Sequence, residues 1–520
     1  MYNLRTLVSR LSQSHVETAP APVKAVPSRL IPAHVDSSHA AREVEFQAFR
    51  RAYPAYAATH VLDELRATEY TRLDQQGHVY LDYTGGGLHA ESHVRAHMAL
   101  LNTHVFGNPH SKNLTSLAMT ERVEAVRAAV LRYFNADPEE YVAIFTQNAT
   151  GALRLVGESY PFSPEGNFLL TADNHNSVNG IREFARTRGA TVTYVPVIAP
   201  ELRGDLRALD AGLDLARPGT NNLFAYPAQS NFSGVQHPLT WIAEAQARGW
   251  DVLLDAAAFA PANCLDLSQW HPDFVDLSFY KIFGYPTGVG CLLARKSALR
   301  KLQRPWYAGG TVTYSSVLAG GHYLTPGAEG FEDGTVNYLS LPAIEMGLDL
   351  MTTVGIDIVQ TRVKCLTGWL LDQLLALRHS NDRPVIQLYG PTGLELRGGT
   401  VQINFFDPHG RMIECRAVEE MANGARISLR AGCHCNPGAR EAALGLTRTD
   451  LVACFPPQLF PAPAEITREQ LMALLQGKTT GALRASVGLV SNFADVYAFV
   501  EFAKSFVDRT IPDAQLVDNP

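Results

Sequence analysis

A chain of 520 residues, 46% hydrophobic and 18% charged, is long enough for two domains or more and has the composition of an ordinary soluble globular protein. Its net charge of -7 gives no electrostatic reason to expect nucleic acid or an anionic membrane as partner, and no apolar run of about 18 residues marks a transmembrane helix. Seven cysteines, few and irregularly spaced, exclude a disulfide framework and point to a reducing compartment.

The opening stretch "MYNLRTLVSRLSQSH" carries two arginines, several serines and no acid, a likeness to a transit peptide that stands beside the plainer reading of an amphipathic leader. Residues 18–35 are rich in proline and alanine and read as an extended linker or surface strap. Residues 1–60 are together expected to be extension and linker. From about residue 78 short β-rich segments alternate with helical ones. The strands predicted are "EYVAIF" (140–145), "NFLLTA" (167–172), "ATVTYVPV" (190–197), "NNLFAYPA" (221–228), "WDVLLDAA" (250–257) and "FVDLSFY" (274–280). Helices are predicted at "GALRLVGESY" (151–160) and "PLTWIAEAQARG" (238–249), where Leu239, Ile242 and Ala243 repeat at helical spacing and Gly249 stands at the C-terminal end. This alternation predicts an α/β fold with a mostly parallel sheet and helices on both faces, whose ligands gather beyond the carboxyl ends of the strands. A second region opens with a long helix at 341–355, followed by a helix at 363–378, strands near "TVQINFF" (400–406) and a helix at 493–507. The expected domains are a large one over 61–345 and a smaller C-terminal α+β one over 346–520.

The residues that follow each strand carry the chemistry. Lys281, one of eight lysines, ends a predicted strand among Phe279, Tyr280, Ile282 and Phe283. An amine there is useful as a covalent anchor for a carbonyl if its proton affinity is lowered, while the plain alternative is a stem packed on aromatics with its head in water. Asp255 either caps the next helix or faces a protonated ring nitrogen. "TQNATGA" (146–152) exposes N–H groups at a helix start, where phosphate binds, and His175 follows a strand where a ring can stack on a flat cofactor or simply be hydrogen-bonded. The loop "LRAGCHCNPGA" (429–439) holds Cys433, His434 and Cys435, which read either as a nucleophile on a mobile loop or as zinc ligands lacking the usual spacing.

Together these segments, with "YLDYTGGG" (80–87), "FGNPHSKN" (106–113), "SFYKIFGYPTGVG" (278–290), "FEDGTVNYL" (331–339) and "RAGCHCNPGA" (430–439), resemble the class V aminotransferase family of pyridoxal-phosphate enzymes, and within it the cysteine desulfurases. The likeness is strongest to the N-terminal, desulfurase part of molybdenum cofactor sulfurases and spans roughly residues 78–505. It implies a fold type I transferase that binds pyridoxal 5'-phosphate and no metal. Lys281 would hold the cofactor covalently and move protons at the substrate α-carbon, Asp255 would pair with the ring nitrogen and His175 would stack on the ring. Ala149, Thr150 and Ser278 would bind the phosphate, with Thr335 supplied from a neighbouring subunit. Asn231 and Arg484 would hold the substrate carboxylate, for which an arginine fork is suited. Cys435 would attack the sulfur of L-cysteine, become a persulfide and release L-alanine. The resemblance also implies a cytoplasmic homodimer and a sulfur acceptor, protein or small molecule. A lyase or aminotransferase of the same family acting on another amino acid is the alternative, and it would not need Cys435. Two departures from simple desulfurases, alanines at 256–258 and Tyr280 where those have histidine, resemble the molybdenum cofactor sulfurase branch. Few residues follow the last predicted helix, so that branch's C-terminal cofactor-binding domain is not expected within this chain.

Overall fold

The computed structural model describes residues 39–452 and 481–517, with residues 454, 467, 470 and 475 between them. The leader and the proline-rich stretch at 18–35 lie outside the described residues. Residues 39–60, within the stretch expected to be extension and linker, are helical and packed. Helix α1 (His39–Ala52) buries Phe49 against the rings of Tyr56, Trp369 and Phe493. The fully buried guanidinium of Arg362 holds the following turn, donating to Thr59 Oγ1 at 2.7 Å and pairing with Asp63 at 2.8 Å.

The body is built on seven strands: β1 (Tyr141–Thr146), β2 (Asn167–Thr171), β3 (Thr191–Val195), β4 (Asn222–Pro227), β5 (Asp251–Asp255), β6 (Phe274–Ser278) and β7 (Gly290–Arg295). Their order across the sheet is β1-β7-β6-β5-β4-β2-β3. Neighbours from β6 to β3 run parallel, whereas β7 runs antiparallel between β1 and β6. Every residue of β2, β4, β5 and β6 is buried, the state of strands covered on both faces, which is why their sequences read as continuous apolar runs. Helix α2 (Ala149–Ser159) begins after two intervening residues beyond β1 and covers one face.

Two local readings change. "FVDLSFY" leaves the strand after Ser278, and Phe279–Phe283 coil into a one-turn helix, α3, which carries Lys281. Gly284 ends α3 in the left-handed region at φ 83°, and a Cβ there would run into the backbone of Leu88, so the turn closes against the glycine segment 85–87 only because position 284 is glycine. No helix follows Asp255; the chain returns to β6 through turns.

Helices α4 (Pro342–Val354) and α5 (Ile356–Ala376) lead to a four-stranded antiparallel sheet. Gly355, φ 86°, separates the two helices, so α5 starts earlier than the helix predicted from 363. The sheet is ordered β8 (Ile386–Tyr389), β9 (Thr400–Phe405), β11 (Ala482–Ser486), β10 (Arg430–Gly432). Helix α6 (Pro437–Ala443) follows the cysteine loop, and α7 (Phe493–Lys504) packs Phe493 on Trp369 of α5. Val79–Tyr80 pairs in parallel with Ile427–Ser428, which brings the "YLDYTGGG" segment from the N-terminal side beside this second sheet.

Candidate active site

A cavity of about 320 Å³ opens at the carboxyl ends of β4, β5 and β6. Ala149, Thr150, His175, Asn231, Asp255, Ser278 and Lys281 all line it. At one end is the start of α2. Asn148 caps it, accepting from the Gly151 N–H at 3.0 Å, and the Ala149 N–H donates to Ser278 Oγ at 3.2 Å. Thr150 and Ser177 share a hydroxyl hydrogen bond of 2.7 Å. A helix start surrounded by hydroxyls is an anion site.

Lys281 sits on α3 at the cavity wall. Withdrawal from water lowers its proton affinity, the field of Arg484 acts in the same sense, and Asp255 opposes both. Asp255, the last residue of β5, accepts from the Ala257 N–H at 3.0 Å, so it caps a turn and faces the cavity together. His175 Nδ1 accepts from the Ser177 N–H at 3.1 Å, which places the proton of the neutral ring on Nε2. Burial holds the ring's pKa below the ordinary histidine value.

The second sheet supplies the rest. Arg484 on β11 is buried, donates to the Asn231 carbonyl at 3.0 Å and pairs with Asp82 at 3.1 Å. Asp82 is shared with Arg430 on β10, at 2.7 Å. The Asn231 side chain is committed to the cysteine loop: its Nδ2 donates to the His434 carbonyl at 2.7 Å and its Oδ1 accepts from Asn436 at 2.9 Å. The loop turns through two consecutive left-handed residues, His434 (φ 52°) and Cys435 (φ 55°). The Cys435 carbonyl accepts from the Asn176 N–H at 2.7 Å, and the Cys435 side chain is exposed. His434 points the other way, into the protein, with Nε2 3.1 Å from Gln402 Nε2 and 3.3 Å from the Ala482 carbonyl. Burial pushes its pKa down to about 2. With its imidazole engaged there, His434 does not join Cys433 and Cys435 as a ligand set, and among the described residues no three His, Cys, Asp or Glu side chains are grouped to hold a metal.

Thr335 lines two other cavities and is not brought to Lys281 within one chain. Sequence reasoning missed Asp82 and Arg430, both inside quoted motifs, and Asp276. The last lies in the middle of an apolar strand, two residues before Ser278 and therefore on the same face, which was the available signal.

Among curated proteins the chain is 38% identical over 475 residues to the molybdenum cofactor sulfurase of Solanum lycopersicum, covering 85% of this chain and 57% of that one. It is 36% identical over 475 residues to the molybdenum cofactor sulfurase of Bos taurus, covering 85% and 51%. The chain thus spans about half the length of the curated relatives it matches. Among solved structures, the apo cysteine desulfurase from Thermococcus onnurineus NA1 superposes with a TM-score of 0.68 at 23% identity, covering 86% of this chain and 98% of that one. The shared architecture is fold type I of the pyridoxal-phosphate enzymes. The Aminotransferase class-V family matches residues 79–499, and the chain belongs to that family.

Proposed function

We propose that this chain is a pyridoxal-phosphate-dependent cysteine desulfurase, which moves sulfur from L-cysteine onto Cys435 as a persulfide and releases L-alanine. The observation that carries this reading is the hydrogen bond from the Asn176 N–H to the Cys435 carbonyl, 2.7 Å, which ties the loop of an exposed thiol to the residue beside His175 on the rim of the Lys281 cavity. The similarity to molybdenum cofactor sulfurases over 85% of the chain supports it.

The residues present fit pyridoxal 5'-phosphate: an anion site at the start of α2, an amine of lowered proton affinity, and a buried carboxylate beside a second acid, Asp276, whose two oxygens have no donor among the described residues. When bound, that group supplies an electron sink for the substrate α-carbon. Lys281 would hold its carbonyl carbon and carry the α-proton, Asp255 would hold the ring nitrogen, and His175 would cover the ring. Ala149, Thr150 and Ser278 would take the phosphate, joined by Thr335 of the partner subunit in the proposed homodimer. Asn231 and Arg484 would orient the substrate carboxylate while also serving the fold, since Asn231 holds the cysteine loop and Arg484 holds Asp82; among the described residues Nε of Arg484 is a buried donor without a partner. The Cys435 thiolate attacks the substrate sulfur, the S–S bond forms as the C–S bond breaks, and the carbon keeps the electron pair and is protonated.

The homodimer is supported by apolar surface at the hairpin of Val312–Ser315 and His322–Leu324, where Tyr314, Val317, Leu318 and Tyr323 are exposed. A cytoplasmic setting suits a chain with only seven cysteines, irregularly spaced. No helix among the described residues is long and apolar enough to cross a membrane. Residues 61–345 serve as the cofactor domain and 346–520 as the domain that brings the cysteine loop. The sulfur acceptor is a protein or small molecule that meets the exposed thiol.

Addition of pyridoxal phosphate should give a visible band that borohydride bleaches in the wild type and not in Lys281→Ala. After cysteine addition, mass measurement of the tryptic peptide holding Cys433 and Cys435 should show added sulfur, lost in Cys435→Ala. Full turnover of an amino acid by Cys435→Ala would identify a lyase or aminotransferase instead, and loss of sulfur only in Cys433→Ala would move the nucleophile.

A further inference from the structure

The floor of the cavity carries two carboxyl groups where the chemistry above needs one. Asp255 and Asp276 are direct register partners on the parallel strands β5 and β6, and both line the cavity. They are 7% and 0% exposed. Paired positions on adjacent strands, spaced about 4.8 Å apart, project to the same face, so the two side chains lie next to one another. Asp255 is already satisfied in part by the Ala257 N–H. Neither oxygen of Asp276 receives a hydrogen bond from any described donor. The ionisable groups that face Asp276 are Asp255 from β5 and Lys281 from α3. From β7 its register partner is Leu292, and α2 turns Leu153 toward the cavity, so no arginine or lysine of those elements neutralises it.

Two carboxyls side by side and out of water do not both ionise; one proton stays with the pair. Asp276 is the deeper of the two and the one without an N–H donor, so the proton belongs there. Its carboxyl is held well above the usual carboxylate range, by burial first and by Asp255 second.

We propose that Asp276 is a positioning residue, which keeps the single proton of the carboxyl pair and donates it in an O–H···O hydrogen bond to Asp255, so that Asp255 faces the cavity as one oriented anion. With the Ala257 N–H on one side and the Asp276 O–H on the other, the Asp255 carboxylate cannot rotate away from its task. What Asp255 faces, the ring nitrogen of pyridoxal phosphate, rests on the proposed function; the shared proton does not.

The test compares Asp276→Asn, which keeps the shape and an N–H donor but cannot titrate, with Asp276→Val, which removes both. The first readout is the thermal midpoint of the full chain stripped of pyridoxal phosphate, from about pH 6 to about pH 9. A folded-state acid with a raised pKa holds a proton that the unfolded state has already released, so stability falls as pH rises through this range. The wild type should show that fall relative to both variants, whose difference from it should shrink as pH drops. The second readout is the Kd for pyridoxal 5'-phosphate itself: Asp276→Asn should stay within about threefold of wild type, and Asp276→Val should weaken about tenfold or more, the size of one lost hydrogen bond to a charged group. Variants that keep the wild-type pH slope would show that Asp276 does not hold the proton. Equal weakening by Asn and Val would make Asp276 a second anion, and wild-type affinity in Asp276→Val would reduce it to filling space; either overturns the assignment. A wild-type chain that binds no pyridoxal phosphate sinks the functional reading alone, because the pH slope still decides where the proton resides.

Discussion

The side-chain amide of Asn436 reaches from the cysteine loop to the Asp173 carbonyl at 2.6 Å and to Asn231 Oδ1 at 2.9 Å. The same residue, fully buried, caps α6 by accepting from the Ala439 N–H at 3.2 Å. One side chain therefore joins the cysteine loop to the turn after β2 and the turn after β4. Asn436→Ala should cost about 2–3 kcal/mol, combining a lost cap with a buried carbonyl left unsatisfied, in chemical denaturation. It should also speed alkylation of Cys435, because the loop loses its anchor. An unchanged alkylation rate would mean that the other contacts, Asn176 to the Cys435 carbonyl and Asn231 to the His434 carbonyl, hold the loop by themselves.

Asp82 stands between two arginines of unequal burial, 3% side-chain exposure for Arg484 and 50% for Arg430. Removing the carboxylate leaves Arg484 as a buried cation without a counter-charge, so Asp82→Ala should destabilise by about 3–5 kcal/mol. Arg430→Ala should cost about 1 kcal/mol or less, since its half-exposed head is screened by water. Denaturant midpoints of the two variants decide this, and equal losses would contradict it.

The strands of the parallel part of the sheet, and the place of Lys281 just after one of them, were legible because both are local. Fully buried parallel strands carry unbroken apolar runs, and a charged residue at the end of such a run stands out, as Lys281 and Asp255 do. Strand β7 was not legible, because it follows a glycine- and proline-rich turn that reads as the end of a motif, and nothing in "GCLLAR" marks it as antiparallel. Asp276 was hidden by its apolar neighbours within β6. Asp82 and Arg430 are separated by 348 residues, and no spacing rule connects them; their contact is made when Val79–Tyr80 pairs with Ile427–Ser428. Asn231 was read as a substrate ligand from its resemblance, and only the folded chain reveals that its amide is also the seat of the cysteine loop.

The hairpin of Val312–Ser315 and His322–Leu324 ends in Val317 and Leu318, both fully exposed, with Tyr314 and Tyr323 exposed on its strands. A two-stranded ribbon with an apolar tip is marginal in water by itself and gains by burial in a second copy. If this face forms the proposed homodimer, the wild type should sediment as a dimer and the double variant Val317→Lys, Leu318→Glu as a monomer. Because the phosphate site is proposed to take the partner subunit's Thr335, it should also weaken pyridoxal phosphate binding. A variant that remains dimeric would place the interface elsewhere.

His434 links pH to the cysteine loop. Burial pushes its pKa down to about 2, so the ring is neutral in the folded chain, whereas in the unfolded chain it titrates near the ordinary value of about 6.5. Between those limits the unfolded state binds a proton that the folded state does not, so stability is full above about pH 6.5 and declines as pH falls. By about pH 5 the loss from this residue alone reaches about 2 kcal/mol. His434→Asn removes the titration while keeping a polar side chain for Gln402 and the Ala482 carbonyl, so its denaturation midpoint should change less than that of the wild type between about pH 7 and about pH 5. Since His434 immediately precedes Cys435, the same acid range should raise the alkylation rate of Cys435 relative to a reference thiol in the wild type and leave it flat in His434→Asn. Identical pH profiles for the two proteins would show that the imidazole takes up its proton without disturbing the loop.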